Sequence, residues 1–161
     1  MAAQPTAQQV IDWLGLEPHR TCGLVAQSFV SEAIPGGALY FLASPERGIQ
    51  LHRIPQDQVY HHYLGDPLEV LLVSPEGEGS WHRVGSDLAA GERPQLTIAG
   101  GSFHAGRVAA AGGFGFALLG TTVWGRVEPG QVERMAFPAL AEAFPAAQEL
   151  IRRFSSPADP G

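Results

Sequence analysis

The sequence predicts an all-β fold, a sandwich, barrel or jelly roll of short strands, opened by a brief helix and closed by a helical C-terminal segment. Three observations carry this prediction. The chain holds 20 Gly and 13 Pro among 161 residues, well above the roughly 12% that the two average together, and both residues disfavour helix interiors. Runs rich in apolar and β-branched residues recur about every ten residues, separated by turn signals. The apolar fraction is 45%, enough to bury one core, so residues 1–161 read as a single domain.

The elements follow in order. Thr6 and Gln9 form a T-x-x-Q capping box, Val10, Ile11 and Leu14 supply an apolar stripe, and Gly15 stops the helix, which places an N-terminal helix within residues 1–15. Strands are expected at 24–30, 38–42, 49–54, 59–64, 68–73, 80–84, 95–98, 103–109, 114–119 and 121–127, which makes 24–127 the β-barrel. Pro35-Gly36-Gly37, Ser44-Pro45, Gly65-Asp66-Pro67, Pro75-Glu76-Gly77, Gly100-Gly101 and Gly112-Gly113 mark the turns. Residues 138–144 and a segment from Pro145 through Leu150, Ile151 and Phe154 read as C-terminal helices over 138–154, and 155–161 as a flexible tail.

Composition excludes several function classes. The ten basic residues are all Arg, so Schiff-base and P-loop lysines are absent. The net charge is -6 and no basic face is apparent, which argues against nucleic acid. The uncharged stretch 108–125 is too short and too Gly-rich for a comfortable membrane span and reads as buried strands around a Gly turn. The single cysteine, Cys22, forms no internal disulfide and reads as an inert thiol. The N-terminus lacks the pattern of a signal peptide, so a cytoplasmic location is the expectation.

The mid-chain spacing carries a resemblance. His52-x-Ile54-x-x-x-Gln58, six residues, then Gly65, and later Ala99-x-Gly101-x-x-His104, resemble the two motifs of the cupin superfamily. Three His and a Glu of those motifs hold one divalent ion in metal-binding cupins. Here His52 and His104 keep their places, while Ile54 stands at the second His, Gln58 at the Glu and Ala99 at a Pro. More narrowly the chain resembles the cupin family called domain of unknown function 985. The resemblance rests on Leu16-Glu17-Pro18-His19, Leu39-Tyr40-Phe41-Leu42, His52-Arg53, Asp57-Gln58-Val59-Tyr60-His61-His62-Tyr63, Gly65-Asp66-Pro67-Leu68, Val84-Gly85-Ser86-Asp87-Leu88, Pro94-Gln95 and Phe144-Pro145. It implies a cupin-type double-stranded β-helix, that is, a jelly-roll barrel, and a homodimer.

The barrel mouth is a preferred ligand position, and the resemblance points His52 inward. Strand alternation from Gln58 sends Tyr60 and His62 inward and His61 and Tyr63 outward; one of these faces is alternatively a subunit interface. His104 is expected at the pocket after the sharp Gly100-Gly101 turn, with Phe103 beside it and Tyr40 reaching in from the preceding strand, each with core packing as the alternative. A His near neutral pKa suits a general base and a Tyr hydroxyl an acid. The leading expectation is therefore a small-molecule-binding cupin with metal-independent isomerase or epimerase chemistry on a sugar-like or keto substrate. His52, His62 and Tyr60 would be catalytic, with Gln58, His104, Tyr40 and Phe103 binding ligand. The epimerase element rests on fold-level analogy. No cofactor is expected, because two His and an uncharged amide fall short of the three protein ligands of a catalytic divalent site. The alternatives are a non-catalytic ligand-binding cupin and a metal-dependent cupin using His52, His62 and His104.

Overall fold

The computed structural model describes residues 4–110 and 113–156. Helix α1 (Ala7–Leu14) begins at the capping box foreseen above: Thr6 Oγ1 accepts from Gln9 N and Gln9 Oε1 from Thr6 N. It ends at Gly15 in the left-handed conformation. Its apolar side, with Val10 buried, packs on Leu16, Leu42, Phe116 and Leu118.

Two antiparallel sheets follow. The first joins β1 (Glu17–Pro18), β2 (Leu24–Val30), β3 (Gly37–Ala43), β5 (Asp57–Gly65), β8 (Gln95–Ile98) and β10 (Ala117–Trp124) in the order β1-β2-β3-β10-β5-β8. The second joins β4 (Ile49–Arg53), β6 (Leu68–Val73), β7 (Gly79–Val84), β9 (Phe103–Val108) and β11 (Glu133–Arg134) in the order β11-β4-β9-β6-β7. The sheets face each other across a core of Phe41, Tyr60, Leu68, Val70, Ile98 and Leu119. This is the jelly-roll architecture the sequence predicts.

The C-terminal segment packs on the outer side of the second sheet. Helices α2 (Phe137–Ala143) and α3 (Gln148–Ser155) bury Leu140, Ile151 and Phe154 against Leu51, Leu71, Val73 and Phe103. Arg107 fastens them: its Nη1 donates to the carbonyls of Phe154 and Ser156 at 2.9 Å, its Nε pairs with Glu69 at 3.0 Å, and its guanidinium lies 4.8 Å from the Phe154 ring centre. Among the described residues no helix is long and apolar enough to cross a membrane.

Three sequence expectations change here. Residues 114–119 and 121–127 were expected as two strands, but β10 runs unbroken through Gly120. A Cβ at that glycine would meet the Tyr63 ring laid over it, so any larger residue there displaces Tyr63. The two-residue strands β1 and β11 were not foreseen, being too short for any periodicity. The tail foreseen at 155–161 lies mostly outside the described residues; Ser155 itself is the last residue of α3.

Candidate active site

The two motif loops are tied together at one end of the barrel. Gly100 N donates to Asp57 Oδ1 at 2.7 Å and Gly101 N to Ile54 O at 2.8 Å. Gly101 has φ +81°, a left-handed turn that glycine adopts without a Cβ penalty. These bonds set the start of β5, carrying Gln58, against the start of β9, carrying His104.

Four inward side chains meet there. His52 pairs with His104 across the β4–β9 ladder, and their rings lie 4.2 Å apart at 54°. Gln58 Nε2 is 3.5 Å from His104 Nε2, and the Tyr60 ring is 5.9 Å from His104, edge-on. Burial is nearly complete: relative exposure is 4% for His52, 0% for His104, 5% for Gln58 and 1% for Tyr60.

Hydrogen bonding fixes the tautomers. A carbonyl oxygen only accepts, so His52 Nδ1, 2.7 Å from Gln50 O, carries the proton and donates it. The neutral ring then presents Nε2 as a bare acceptor. His104 Nδ1 faces Ser102 O at 3.5 Å, and its Nε2 accepts from the Gln58 amide. The Gln that replaces a carboxylate therefore supports a neutral imidazole. Burial holds His104 well below the ordinary imidazole value, and the charge of His52 adds to this. Burial likewise lowers His52, the Gln50 carbonyl opposes it, and the charges of His19 and Arg134 lower it further. Burial pushes the Tyr60 phenol well above its usual range. The cluster is uncharged at neutral pH, with two imidazoles and an amide in contact and the Tyr60 ring edge-on to His104.

One member was not foreseen. Thr121 is Cα-paired with Tyr60 on β10 and 5% exposed, and its buried Oγ1 has no hydrogen-bond partner among the described residues. It also lines a cavity of about 330 Å³ at the barrel mouth, with Gln27, Gly37, Leu39, Val123 and Arg126. A larger cavity, about 530 Å³, lies instead beside β4, β9 and α3, lined by Leu51, Ala105, Arg107 and Phe154 from the outer layer, away from these imidazoles. One of two adjacent Thr in an otherwise apolar strand gives no signal in the sequence.

Other expected residues sit elsewhere. His62 is on the inner face by register, opposite Leu119, but lies roughly 13 Å along β5 from Gln58 at about 3.3 Å per residue. Its Nε2 is 3.2 Å from Asp66 O. The trio His52, His62 and His104 is thus not brought together, and among the described residues no three His, Cys, Asp or Glu side chains group as metal ligands. The donor set left at the cupin metal position, two imidazoles and an amide with Ile54 in the fourth place, does not match a divalent site. Tyr40 points to the outer face, since its neighbour Phe41 fills the core; it meets Tyr63 edge-on at 5.9 Å and packs toward α1. Phe103 is likewise outside, because His104 takes the inward position. It packs with Phe144 at 6.2 Å under the Arg53 guanidinium. His61 and Tyr63 share the outer face, where His61 bonds Thr122 at 3.1 Å and Gln95 at 3.0 Å.

Comparison with known proteins agrees with the fold. The chain is similar to a hypothetical protein from Leishmania major, with 25% identity, 92% of this chain and 98% of that one covered, and a TM-score of 0.84. It is also similar to a structural-genomics target from Shewanella oneidensis, with 28% identity, 96% and 99% covered, and a TM-score of 0.82. A polyketide cyclase from Streptomyces resistomycificus shares the fold at 13% identity, 84% and 87% covered, with a TM-score of 0.51. No curated protein matches. The profile of the cupin superfamily family DUF985 matches residues 8–130, and the chain belongs to that family.

Proposed function

We propose that the protein binds a small carbonyl compound in the barrel and isomerises it by metal-independent proton transfer. The observation that carries this reading is His52: its Nδ1 is committed to Gln50 O, leaving a neutral Nε2 lone pair on a ring packed against His104. In the step, His52 Nε2 takes a proton from the carbon next to the carbonyl. The C–H electron pair moves into the C–C bond and the carbonyl pair onto oxygen, where the Tyr60 O–H donates to the forming enolate. His52 then returns the proton to the same carbon and the carbonyl re-forms; return after the enolate has turned in the site puts the hydrogen on the other face and gives the epimer. The raised phenol value makes Tyr60 a donor that keeps its own proton. Positioned base catalysis of this kind is worth about 10²–10⁴ in rate.

Deuterium wash-in at the α-carbons of dihydroxyacetone, followed by NMR in D₂O with chelator-treated protein, tests the step. The wild type should accelerate exchange. His52→Gln should remove roughly a hundredfold or more of that acceleration, and Tyr60→Phe a smaller part. Unchanged exchange in His52→Gln overturns the assignment.

A second reading is binding without turnover. It is favoured by Gln58, because among the described residues no carboxylate bonds either buried imidazole to stabilise its protonated form. Ligand-induced thermal stabilisation with no α-exchange would select it. We also propose that the chain pairs as a homodimer, as its resemblance to small cupins implies.

A further inference from the structure

The sheet edge beside His52 bears an unmatched cation. Strand β11 pairs with β4 in the register Glu133↔Arg53 and Arg134↔His52. Glu133 and Arg53 share the outer face, shown by their 2.7 Å ion pair. Arg134 therefore shares the opposite face with His52, since paired residues of antiparallel strands project to one side with Cβ atoms about 5 Å apart. It is exposed, and among the described residues it has no ion pair. The nearest acid in sequence, Glu133, is taken by Arg53.

His19 comes to the same edge from β1. The turn 19–23 is docked on β4 by Gln50 N donating to Thr21 O at 2.8 Å, and His19 Nδ1 lies 3.3 Å from Thr21 Oγ1. That contact lies two residues from His19 on one side and two residues from His52 on the other. A chain of net charge -6 repels anions unless a local cation is free, and a guanidinium matches an oxyanion with paired donors. The buried cluster beyond it is uncharged, and placing an anion there without a counter-charge is costly.

We infer that Arg134, assisted by His19, is an anion subsite at the mouth of the barrel, and that the ligand is a small hydroxy-carbonyl compound carrying a phosphate or carboxylate. The anionic group stays at the exposed edge while the uncharged carbonyl end reaches His52 and Tyr60. The inference rests on the reading of His52 as a ligand-facing group.

Three matched probes test it: dihydroxyacetone, dihydroxyacetone phosphate and hydroxypyruvate, titrated while the His52 side-chain resonances are followed by NMR. In the wild type at least one anionic probe should bind about tenfold or more tighter than dihydroxyacetone, and that ratio should fall to roughly twofold in Arg134→Gln and recover in part in Arg134→Lys. The preferred anion tells phosphate from carboxylate. An anion preference that survives Arg134→Gln, or no preference while the probes still shift His52, overturns the subsite and leaves the His52 site standing. Absence of any His52 shift with all three probes contradicts both.

Discussion

His52 and His104 face each other across the β4–β9 ladder with ring centres 4.2 Å apart, and each donates its Nδ1 proton to a backbone carbonyl two residues back in its own chain segment. Burial, working against the pull of those two carbonyls, holds the pair neutral. In a metal-binding cupin these two positions hold an ion; here the third and fourth ligand positions are an Ile and a Gln.

The neutral pair makes stability depend on pH. Both imidazoles titrate below the ordinary 6.5 in the folded protein, so below 6.5 the unfolded chain takes up protons that the folded chain refuses. Their stabilising contribution is full above that value and is lost as pH falls toward the folded values. The denaturation midpoint should be level above about pH 7 and decline from roughly pH 6.5 to 5. His104→Leu should flatten much of that decline. The more exposed His19, His61 and His82 are lowered in the same sense and leave a residual slope. A midpoint that rises on acidification contradicts the neutral pair.

Gln58→Glu should reverse the electrostatics. A carboxylate beside His104 favours imidazolium and should raise its titration by about one unit or more. It also restores a third ionisable donor next to two imidazoles. Zinc affinity, measured by calorimetry, should increase over the wild type, and no gain would show that the two rings are held in the wrong orientation for an ion.

Thr121→Val separates folding from function. The unpartnered hydroxyl costs about 1–3 kcal/mol when buried, so the isosteric Val should raise the stability of the free protein by up to about 1 kcal/mol. Ligand-induced stabilisation should shrink in the same variant. A loss of stability would mean that Thr121 has a structural partner.

Asp66, by contrast, belongs to the scaffold. Its carboxylate is 4% exposed and accepts from Phe114 N at 3.0 Å and Gly115 N at 2.7 Å. Asp66→Ala strands both donors and should cost about 2–4 kcal/mol by chemical denaturation, with the pairing of β5 and β10 weakened nearby.

Much of this was legible in the residues, and the losses have physical causes. The Thr6–Gln9 cap, the alternation that turns Gln58 and Tyr60 inward, and the placement of His104 after Gly101 are local properties, and all three hold in the structure. Tyr40 and Phe103 were expected at the site but lie one residue from an inward position, and a shift of one residue exchanges the faces of a strand. His62 has the right face but the wrong depth, because alternation reports sides and not distance along β5. Arg134 and His19 escaped notice as site residues because β11 and β1 are two residues long, and only pairing with β4 or docking against it brings them beside His52.

Long-range ¹H–¹⁵N NMR of the imidazoles in the unliganded protein at neutral pH tests the central claim most directly. The account predicts that His52 is neutral, with its proton on Nδ1 and a bare Nε2. A protonated Nε2, whether as the other tautomer or as imidazolium, would contradict it.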